Sequence, residues 1–324
     1  MTGARGMATL AVALLLGLLV APAEGQEAHR VVRIGVLNEA FSATHPTVEG
    51  LKVGLKELGF EEGRRVMFDV RFTEGKREAM PAAAQALVQA GVDLLVTSQE
   101  AATLAARDAT KRIPIVFTAV GDPVGAGIVT GLAQPGGNAT GISGLQTELV
   151  AKRVQFLKTL APGVRRVWLI YDGGDLGTTA MIGRALGAAP PMKLEIVPRG
   201  VLDTGALKRV LGEMRRGDGV LAPEGSRLDI PLAILERSLS MRVPAIFASA
   251  LWVGHGGLMS YGPDSYAEGL QAAALVAKIL RGSRPQDLPV EGAERIDLAV
   301  NLKTAELLAL TVPRKILLRA DAFR

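Results

Sequence analysis

Polar, aromatic and turn-forming residues follow several short apolar runs in this sequence, at the points where buried strands would end. They are Asn38, Glu39, Phe41, Ser42, Ser98, Gln99, Thr118, Gly121, Asp122, Tyr171, Asp172, Glu224, Trp252, Tyr261 and Asp264. Ligands of open α/β sheets bind outside the carboxyl ends of the strands. Hydroxyl, amide and carboxylate groups placed there can hold a solute by hydrogen bonds and charge. The pattern therefore predicts a binding site for a small polar solute.

The two ends of such a solute would meet different residues. Ser98 and Gln99 stand before a predicted helix, whose unpaired N–H groups and positive dipole end favour an anion. We expect these two residues to meet a carboxylate, and Asp122 or Asp264 to meet an ammonium group. Simpler roles remain open, since Ser98 and Asp264 could only cap helices. Asp122, directly before Pro123, could only form a turn.

Other candidates also have structural alternatives. Tyr261 could pack at a strand that connects two parts of the molecule instead of stacking on a ligand. Trp252 could belong to the core instead of covering an aromatic ligand. His45, directly before Pro46, is expected to be structural rather than a metal ligand. Glu224 would place a carboxylate at the site, so the sequence does not assign an aromatic amino acid as the ligand.

No arrangement for catalysis is present in the sequence. The three histidines, His29, His45 and His255, are not spaced as metal ligands. Neither the Gly-x-Ser-x-Gly nucleophile elbow nor the Gly-Lys-Ser/Thr end of a phosphate loop occurs. Residues 125–127, Gly-Ala-Gly, lack the third glycine of a dinucleotide-binding motif. We therefore predict that the protein is not an enzyme and has no catalytic residue, metal or cofactor.

Composition favours a two-lobed α/β protein and argues against a nucleic-acid partner. The chain has 324 residues, of which 48% are hydrophobic and 4% aromatic, and a net charge of +5. This length is enough for two lobes with a core each, and a chain dominated by Ala, Leu and Val suits helices packed on parallel sheets. The arginines are scattered and accompany no helix-turn-helix or basic-aromatic pattern, so we expect no nucleic acid as a partner.

Residues 1–23 have the features of a signal peptide. Arg5 supplies the positive charge, residues 10–20 form the apolar core, and Ala21-Pro22-Ala23 fits the small-x-small cleavage pattern. The apolar core is short for a bilayer span, although a retained anchor is the alternative. The sequence contains no cysteine, which excludes a lipid-modified N-terminal cysteine and disulfides. We therefore expect a free periplasmic protein whose signal peptide is cleaved.

Apolar runs alternate with segments of helical spacing after the leader. Residues 31–37, 93–96 and 115–117 are predicted strands, and Val48, Leu51 and Leu55 have the spacing of a buried helix face. The order up to residue 143 is βαβαβαβ, which indicates a parallel sheet with right-handed crossovers. A similar order follows. The predicted fold class is α/β, with two doubly wound parallel-sheet lobes.

Two motifs resemble those of a known family. Residues 114–124, Pro-Ile-Val-Phe-Thr-Ala-Val-Gly-Asp-Pro-Val, and residues 135–141, Pro-Gly-Gly-Asn-Ala-Thr-Gly, are similar to a segment of the ABC-transporter substrate-binding proteins of the tryptophan/tyrosine type. The similarity returns at residues 257–262, Gly-Leu-Met-Ser-Tyr-Gly. It continues through residues 288–291, 301–305, 312–313 and 317–321, so it covers residues 31–321 in register.

This resemblance implies the fold of type I periplasmic binding proteins, with a three-crossing hinge near Ser143, Tyr261 and Pro289. It assigns residues 31–143 plus 261–287 to the N-terminal lobe and residues 144–260 plus 288–324 to the C-terminal lobe. It also implies a monomer that captures a small-molecule ligand, an amino acid or a related carboxylate, in the cleft between the lobes. The ligand would be delivered to an inner-membrane ABC permease with its ATPase. The alternative is a periplasmic ligand sensor that acts on a receptor or kinase.

Overall fold

Strands and helices alternate along the chain, as the apolar pattern predicts. The computed structural model describes residues 30–39, 45–74, 76–174, 178–223 and 229–323. The predicted signal peptide lies outside these ranges. The first elements, in chain order, are β1 (Val32–Asn38), α1 (Pro46–Glu57), β2 (Val66–Phe72), α2 (Met80–Gln89), β3 (Leu94–Ser98), α3 (Glu100–Ala109), β4 (Ile115–Val120) and β5 (Ala139–Ser143). A 3-10 turn, Arg77–Ala79, precedes α2.

A second series of elements follows β5. These elements are α4 (Gln146–Leu160), β6 (Arg166–Asp172), α5 (Thr178–Ala188), β7 (Glu195–Val201), α6 (Thr204–Glu213), β8 (Asp218–Leu221), α7 (Ile230–Met241), β9 (Ala245–Phe247), α8 (Ala250–Gly254), β10 (Met259–Pro263) and α9 (Ser265–Leu280). The chain closes with β11 (Glu291–Gly292), β12 (Ile296–Asn301), α10 (Leu302–Leu307), α11 (Arg314–Leu317) and β13 (Asp321–Phe323).

Within the described ranges the strands form two sheets. The first has the order β11-β5-β4-β3-β1-β2, and all of its pairings are parallel. The second has the order β13-β12-β10-β9-β8-β6-β7, in which the pair β10–β12 is antiparallel and the other pairs are parallel. We call the first sheet with α1, α2, α3 and α9 the first half, and the second sheet with α4 to α8 the second half.

Helices cover both faces of each sheet, so both halves are doubly wound. In the first half, α1 and α9 pack on one face and α2 and α3 on the other. In the second half, α4 and α5 cover one face and α6 and α7 the other. Strands buried on both faces are continuous apolar runs. Phe117 of β4 and Phe247 of β9, on inner strands of the two sheets, are fully buried.

Helix α9 follows the second sheet in sequence but packs in the first half, against α1. Glycines allow the two helix backbones to approach. A Cβ atom on Gly50 would lie 2.1 Å from the carbonyl oxygen of Tyr266, and one on Gly54 would lie 2.7 Å from the Cβ of Ala273. Gly269 of α9 meets the backbone of α1 equally closely. We call this set, Gly50, Gly54 and Gly269, the glycine contact.

Among the described residues, the chain passes between the two sheets at three places. The first is between β5 and α4. The second follows Pro263, where Asp264 leads from β10 into α9, and the third lies between Gly292 and Ile296. The second and third crossings are joined, because the N–H of Asp264 donates to the carbonyl of Arg295 at 3.0 Å. These crossings leave the two halves connected by short segments.

The lobe boundaries predicted at residues 143, 261 and 288 remain a proposal. Sheet membership places the whole of β10 in the second sheet and β11 in the first, so the chain changes sheets after residues 263 and 292.

Candidate ligand-binding site

Three polar residues end neighbouring strands of the first sheet and form a row at its carboxyl edge. The register pairs Leu37 with Thr97 and Ser98 with Thr118, so Asn38, Ser98 and Thr118 stand side by side on β1, β3 and β4. All three are buried. The hydroxyls of Ser98 and Thr118 lie 3.0 Å apart and are hydrogen-bonded. This row brings together three of the predicted site residues.

Gln99 follows the row and begins α3 with an unusual backbone. Its φ and ψ are 71° and 167°, and no side chain caps the helix, so the cap-only alternative for Ser98 is wrong. Ala119, at the same level of β4, also has a positive φ of 54°. Strained backbone of this kind concentrates at ligand sites. The Oε1 atom of Gln99 is buried and has no hydrogen-bond partner among the described residues.

A chain of charges joins this edge to the second sheet. Arg77 Nε donates to Glu39 Oε1 at 3.0 Å, and Arg77 Nη1 lies 3.9 Å from Asp172 Oδ2. The other oxygen of Asp172 accepts the N–H of Gly174 at 2.9 Å. Because Arg77 belongs to the first half and Asp172 ends β6 of the second sheet, the ion pair spans the two halves. The carboxyl edges of the two sheets therefore meet here.

The region around Arg77 and Glu39 is rich in carboxyl groups. Burial raises the pKa of Glu39 above its ordinary value, the charge and hydrogen bond of Arg77 oppose that rise, and the charge of Asp229 adds to it. Asp229 immediately precedes α7 of the second half. Glu39 and Asp172 thus both contact the Arg77 guanidinium, and the charge of Asp229 acts on Glu39. Sequence reasoning identified Glu39 and Asp172 but missed Arg77 and Asp229, which no motif marks.

Asp122 and Asp264 bind their own backbone. Asp122 Oδ1 accepts the N–H of Gly125 at 2.8 Å and closes a turn. Asp264 Oδ1 accepts the N–H of Ala267 at 2.9 Å and caps α9, while its Oδ2 lies 3.6 Å from Arg295 Nε. These contacts favour the turn and cap alternatives for the two carboxylates over recognition of an ammonium group.

Gly121 lies where α4 approaches the first sheet. A Cβ atom on Gly121 would come within 2.9 Å of Gln146 Cγ at the start of α4. Gln146 accepts a hydrogen bond from Arg153, and Arg153 Nε donates to the carbonyl of Tyr261 at 2.6 Å. Gly121 therefore sits beside a polar cluster that ties α4 to β10, close to two of the crossings.

The aromatic candidates of the second half have different surroundings. Tyr261 meets Phe156 edge-on with ring centroids 5.0 Å apart, and Trp252 stacks on Phe247 at 6.1 Å. Both rings are packed against core clusters, which favours the packing alternatives. Tyr171 is half-buried at the next-to-last position of β6. It directly precedes Asp172, the residue that pairs with Arg77.

Phe41, Ser42 and Glu224 lie outside the described residues and stay predictions. His45 caps α1, with Nδ1 accepting the N–H of Thr47 at 3.3 Å, which is the structural role expected. In the described part of the chain, no cluster of His, Asp or Glu is arranged for a metal ion. No helix within the same ranges is long and apolar enough to cross a membrane.

Comparison with known proteins identifies the family. The model of a family described as ABC transporter substrate binding protein matches residues 37–323. The structure of a conserved domain protein from Vibrio cholerae O1 biovar El Tor is similar, with a TM-score of 0.82 and 30% identity over 91% of this chain and 100% of that chain.

Two of the similar proteins have names that mention an aromatic amino acid. A tyrosine-binding protein of Clostridioides difficile is 25% identical over 270 residues, which are 82% of this chain and 78% of the relative. The structure of an ABC domain in complex with L-Trp from Streptococcus pneumoniae has a TM-score of 0.79 and 24% identity, covering 90% of this chain and 99% of that chain. The α/β fold, with two mainly parallel sheets, agrees with these similarities. The chain belongs to the family of ABC transporter substrate-binding proteins.

Proposed function

We propose that this protein binds a small polar solute, an amino acid or a related carboxylate, between the carboxyl edges of its two sheets and delivers it to an inner-membrane ABC permease. Family membership supports the transport role. The position of the site is supported by the contact of Arg77 with Asp172, because that ion pair joins the two edges. The ligand class is supported by the tyrosine-binding relative and by the structure in complex with L-Trp.

The carboxylate end of the solute would lie at the row formed by Asn38, Ser98 and Thr118. Ser98 Oγ can donate to a carboxylate oxygen when Thr118 Oγ1 is the donor, and Ser98 the acceptor, in their shared hydrogen bond. The side-chain amide of Gln99 offers donors at the start of α3. The N–H groups and dipole of this ten-residue helix add favourable interactions with an anion.

Binding would favour the arrangement in which both sheet edges contact the solute. A solute shifts the balance between open and closed forms by as much as it binds the closed form better. The permease would then recognise the closed form. We further propose that the protein acts as a monomer in the periplasm after cleavage of residues 1–23. The composition of that leader and the absence of cysteine from the sequence support this location.

A thermal-shift screen of the purified protein against the twenty amino acids and small carboxylates tests the ligand class. Replacing Ser98 with alanine should then weaken binding of a confirmed ligand by about tenfold, because one hydrogen bond contributes roughly 1–1.5 kcal/mol. Calorimetric titration measures this change.

Thr140→Val is the matched control for this substitution. It removes a buried hydroxyl that donates to the Leu288 carbonyl at 2.8 Å, away from the carboxyl edge. It should therefore leave the affinity unchanged. No shift with any amino acid or carboxylate would show that the proposed ligand class is wrong. Unchanged affinity in Ser98→Ala would show that the proposed position of the solute is wrong.

A further inference from the structure

Strand β2 forms an outer edge of the first sheet, and much of that edge is open. Among the described residues, β1 pairs with one side of β2 and no strand pairs with the other. The carbonyl of Arg65 faces β1, where it accepts the N–H of Val32 at 2.9 Å. Because the backbone groups of successive strand residues point to opposite sides, Phe68, Val70 and Phe72 present their N–H and C=O groups outward.

Turns limit the open edge at both ends. At its start, the N–H of Gly63 donates to the carbonyl of Val66 at 2.9 Å, so the preceding turn already occupies the outward groups of that residue. At its end, the carbonyl of Thr73 accepts the N–H of Lys76 at 2.8 Å, and the chain turns away. Three outward-facing positions remain between these turns, and Val70 is the middle one.

The open stretch is complementary to itself when it is read in reverse, since it runs Phe-Asp-Val-Arg-Phe. In an antiparallel pair of two copies centred on Val70, Asp69 of each copy would lie opposite Arg71 of the other, and Phe68 would lie opposite Phe72. Opposite-charge and aromatic pairs of this kind stabilise paired strands. The outward backbone groups of the two copies would also meet in about six hydrogen bonds. The same contacts form twice, as a twofold axis requires.

We propose that the open edge of β2 binds the same edge of a second copy of the chain, in an antiparallel pair centred on Val70. One edge strand buries less surface than a stable dimer needs, so the dimer is weak and the monomer of the proposed function prevails at low concentration. Because the two strands run in opposite directions, the second halves of the two copies lie at opposite ends of the joined sheet. This inference goes beyond the proposed function and does not depend on the identity of the solute.

The charges on β2 favour a second copy as the partner. Arg71 Nε and Asp69 Oδ1 form an ion pair within the strand at 2.9 Å, and the two side chains are 48% and 23% exposed. A second copy brings the same two charges in reverse order, so each carboxylate gains a second guanidinium and each guanidinium a second carboxylate. The ring of Phe72, which is 38% exposed, would be covered in the same contact.

Cysteine cross-linking tests the pair and its register, because the sequence contains no cysteine. Val70→Cys should give a disulfide-linked dimer under mild oxidation, since opposite Cα atoms of a hydrogen-bonded antiparallel pair are about 5.5 Å apart, within the range of a disulfide. Met67→Cys is the matched control. Met67 is 57% exposed on the same strand, but the proposed register places its two copies about 20 Å apart, so it should not cross-link.

Two charge reversals test the complementarity in solution. In sedimentation velocity, the average mass of the unmodified protein should rise with its concentration. Asp69→Arg and Arg71→Asp should each weaken the dimer about tenfold, because like charges replace both opposite-charge pairs. An equimolar mixture of the two variants should regain the dimer, since a basic strand then faces an acidic one. Arg284→Asp, which reverses a charge of the exposed pair with Asp287, is the control and should not change the mass.

The outcomes that would overturn the proposal are distinct. They are a mass of one chain at every concentration, equal cross-linking at the two cysteine positions or none at either, and a mixture of the charge variants that gains no dimer. Each of these would leave the proposed function in place, because solute binding is measured separately. Should a charge variant not fold, the comparison of Val70→Cys with Met67→Cys still decides the question.

Discussion

Replacing Asp218 with alanine should destabilise the second half more than the loss of any exposed ion pair would. Asp218 is 5% exposed at the start of β8. Its carboxylate accepts from Arg166 Nε and Nη2 at 3.0 Å each, from Trp168 Nε1 at 2.9 Å and from the N–H of Arg215 at 2.8 Å. Burial acts to raise the pKa of this carboxyl, but these hydrogen bonds outweigh it and hold the pKa below the ordinary value of 3.8.

The size of the effect follows from what alanine would leave behind. The indole N–H of Trp168 and the backbone N–H of Arg215 would lose their partner, at about 1–3 kcal/mol each. Arg166 is 37% exposed, so its guanidinium can turn to water and adds little. We therefore expect the free energy of unfolding to fall by about 3–5 kcal/mol, the range for breaking a buried pair. Asp218→Asn keeps an acceptor and should lose only about 1–2 kcal/mol.

Urea unfolding followed by circular dichroism measures these differences. Asp287→Ala is the control, since its pair with Arg284 is exposed at 52% and 68%, and it should cost less than about 1 kcal/mol. The stability from the Asp218 carboxylate is present above pH 3.8, the ordinary pKa, and is lost as pH falls through the lower pKa of the folded state. The advantage of the unmodified protein over Asp218→Asn should shrink below that pH. A loss in Asp218→Ala no larger than in the control would refute the reasoning.

Two further predictions concern α1. Burial lowers the pKa of His45 below its ordinary value of 6.5, so the unfolded chain takes up the proton first and the free energy of unfolding should fall as pH drops below 6.5. His45→Asn keeps a cap acceptor and should flatten this slope in urea unfolding between pH 7 and pH 5; an equal slope would contradict the argument. Gly54→Ala should lower the unfolding free energy by about 1–3 kcal/mol, because its Cβ would lie 2.7 Å from that of Ala273. The same change at Gly212 of α6, where nothing lies within 4 Å, should raise it by about 0.5–1 kcal/mol. Changes of the same sign at both glycines, measured by thermal or urea unfolding, would contradict the close contact of α1 and α9.

Much of the architecture could be predicted because it depends on local patterns. The continuous apolar runs predicted the central parallel strands, and the helical spacing of Val48, Leu51 and Leu55 predicted α1. Some of the short elements were missed. Strand β11 has two residues, and no apolar pattern identifies a strand of that length. Its position depends on pairing with β5, which lies far from it in sequence.

The candidate site could be predicted only where it follows directly from the ends of strands. Asn38, Ser98 and Thr118 come together because parallel strands share one carboxyl edge. Arg77 could not be found in this way, since it lies in a turn and contacts groups from both halves. The packing of Trp252 on the core likewise depends on the position of β9, which its local sequence does not show.

The glycine contact has a consequence for how the two halves can move. With backbone against backbone, α9 cannot slide or roll on α1 without steric collision, so it belongs mechanically to the first sheet from its first turn onward. A single residue, Asp264, separates α9 from the end of strand β10 in the other sheet. The freedom of this connection is thereby confined to a pivot at Asp264, which is tied through its N–H to the neighbouring strand at Arg295. This connection between the halves is therefore short and held by a hydrogen bond, and it does not behave as a flexible linker.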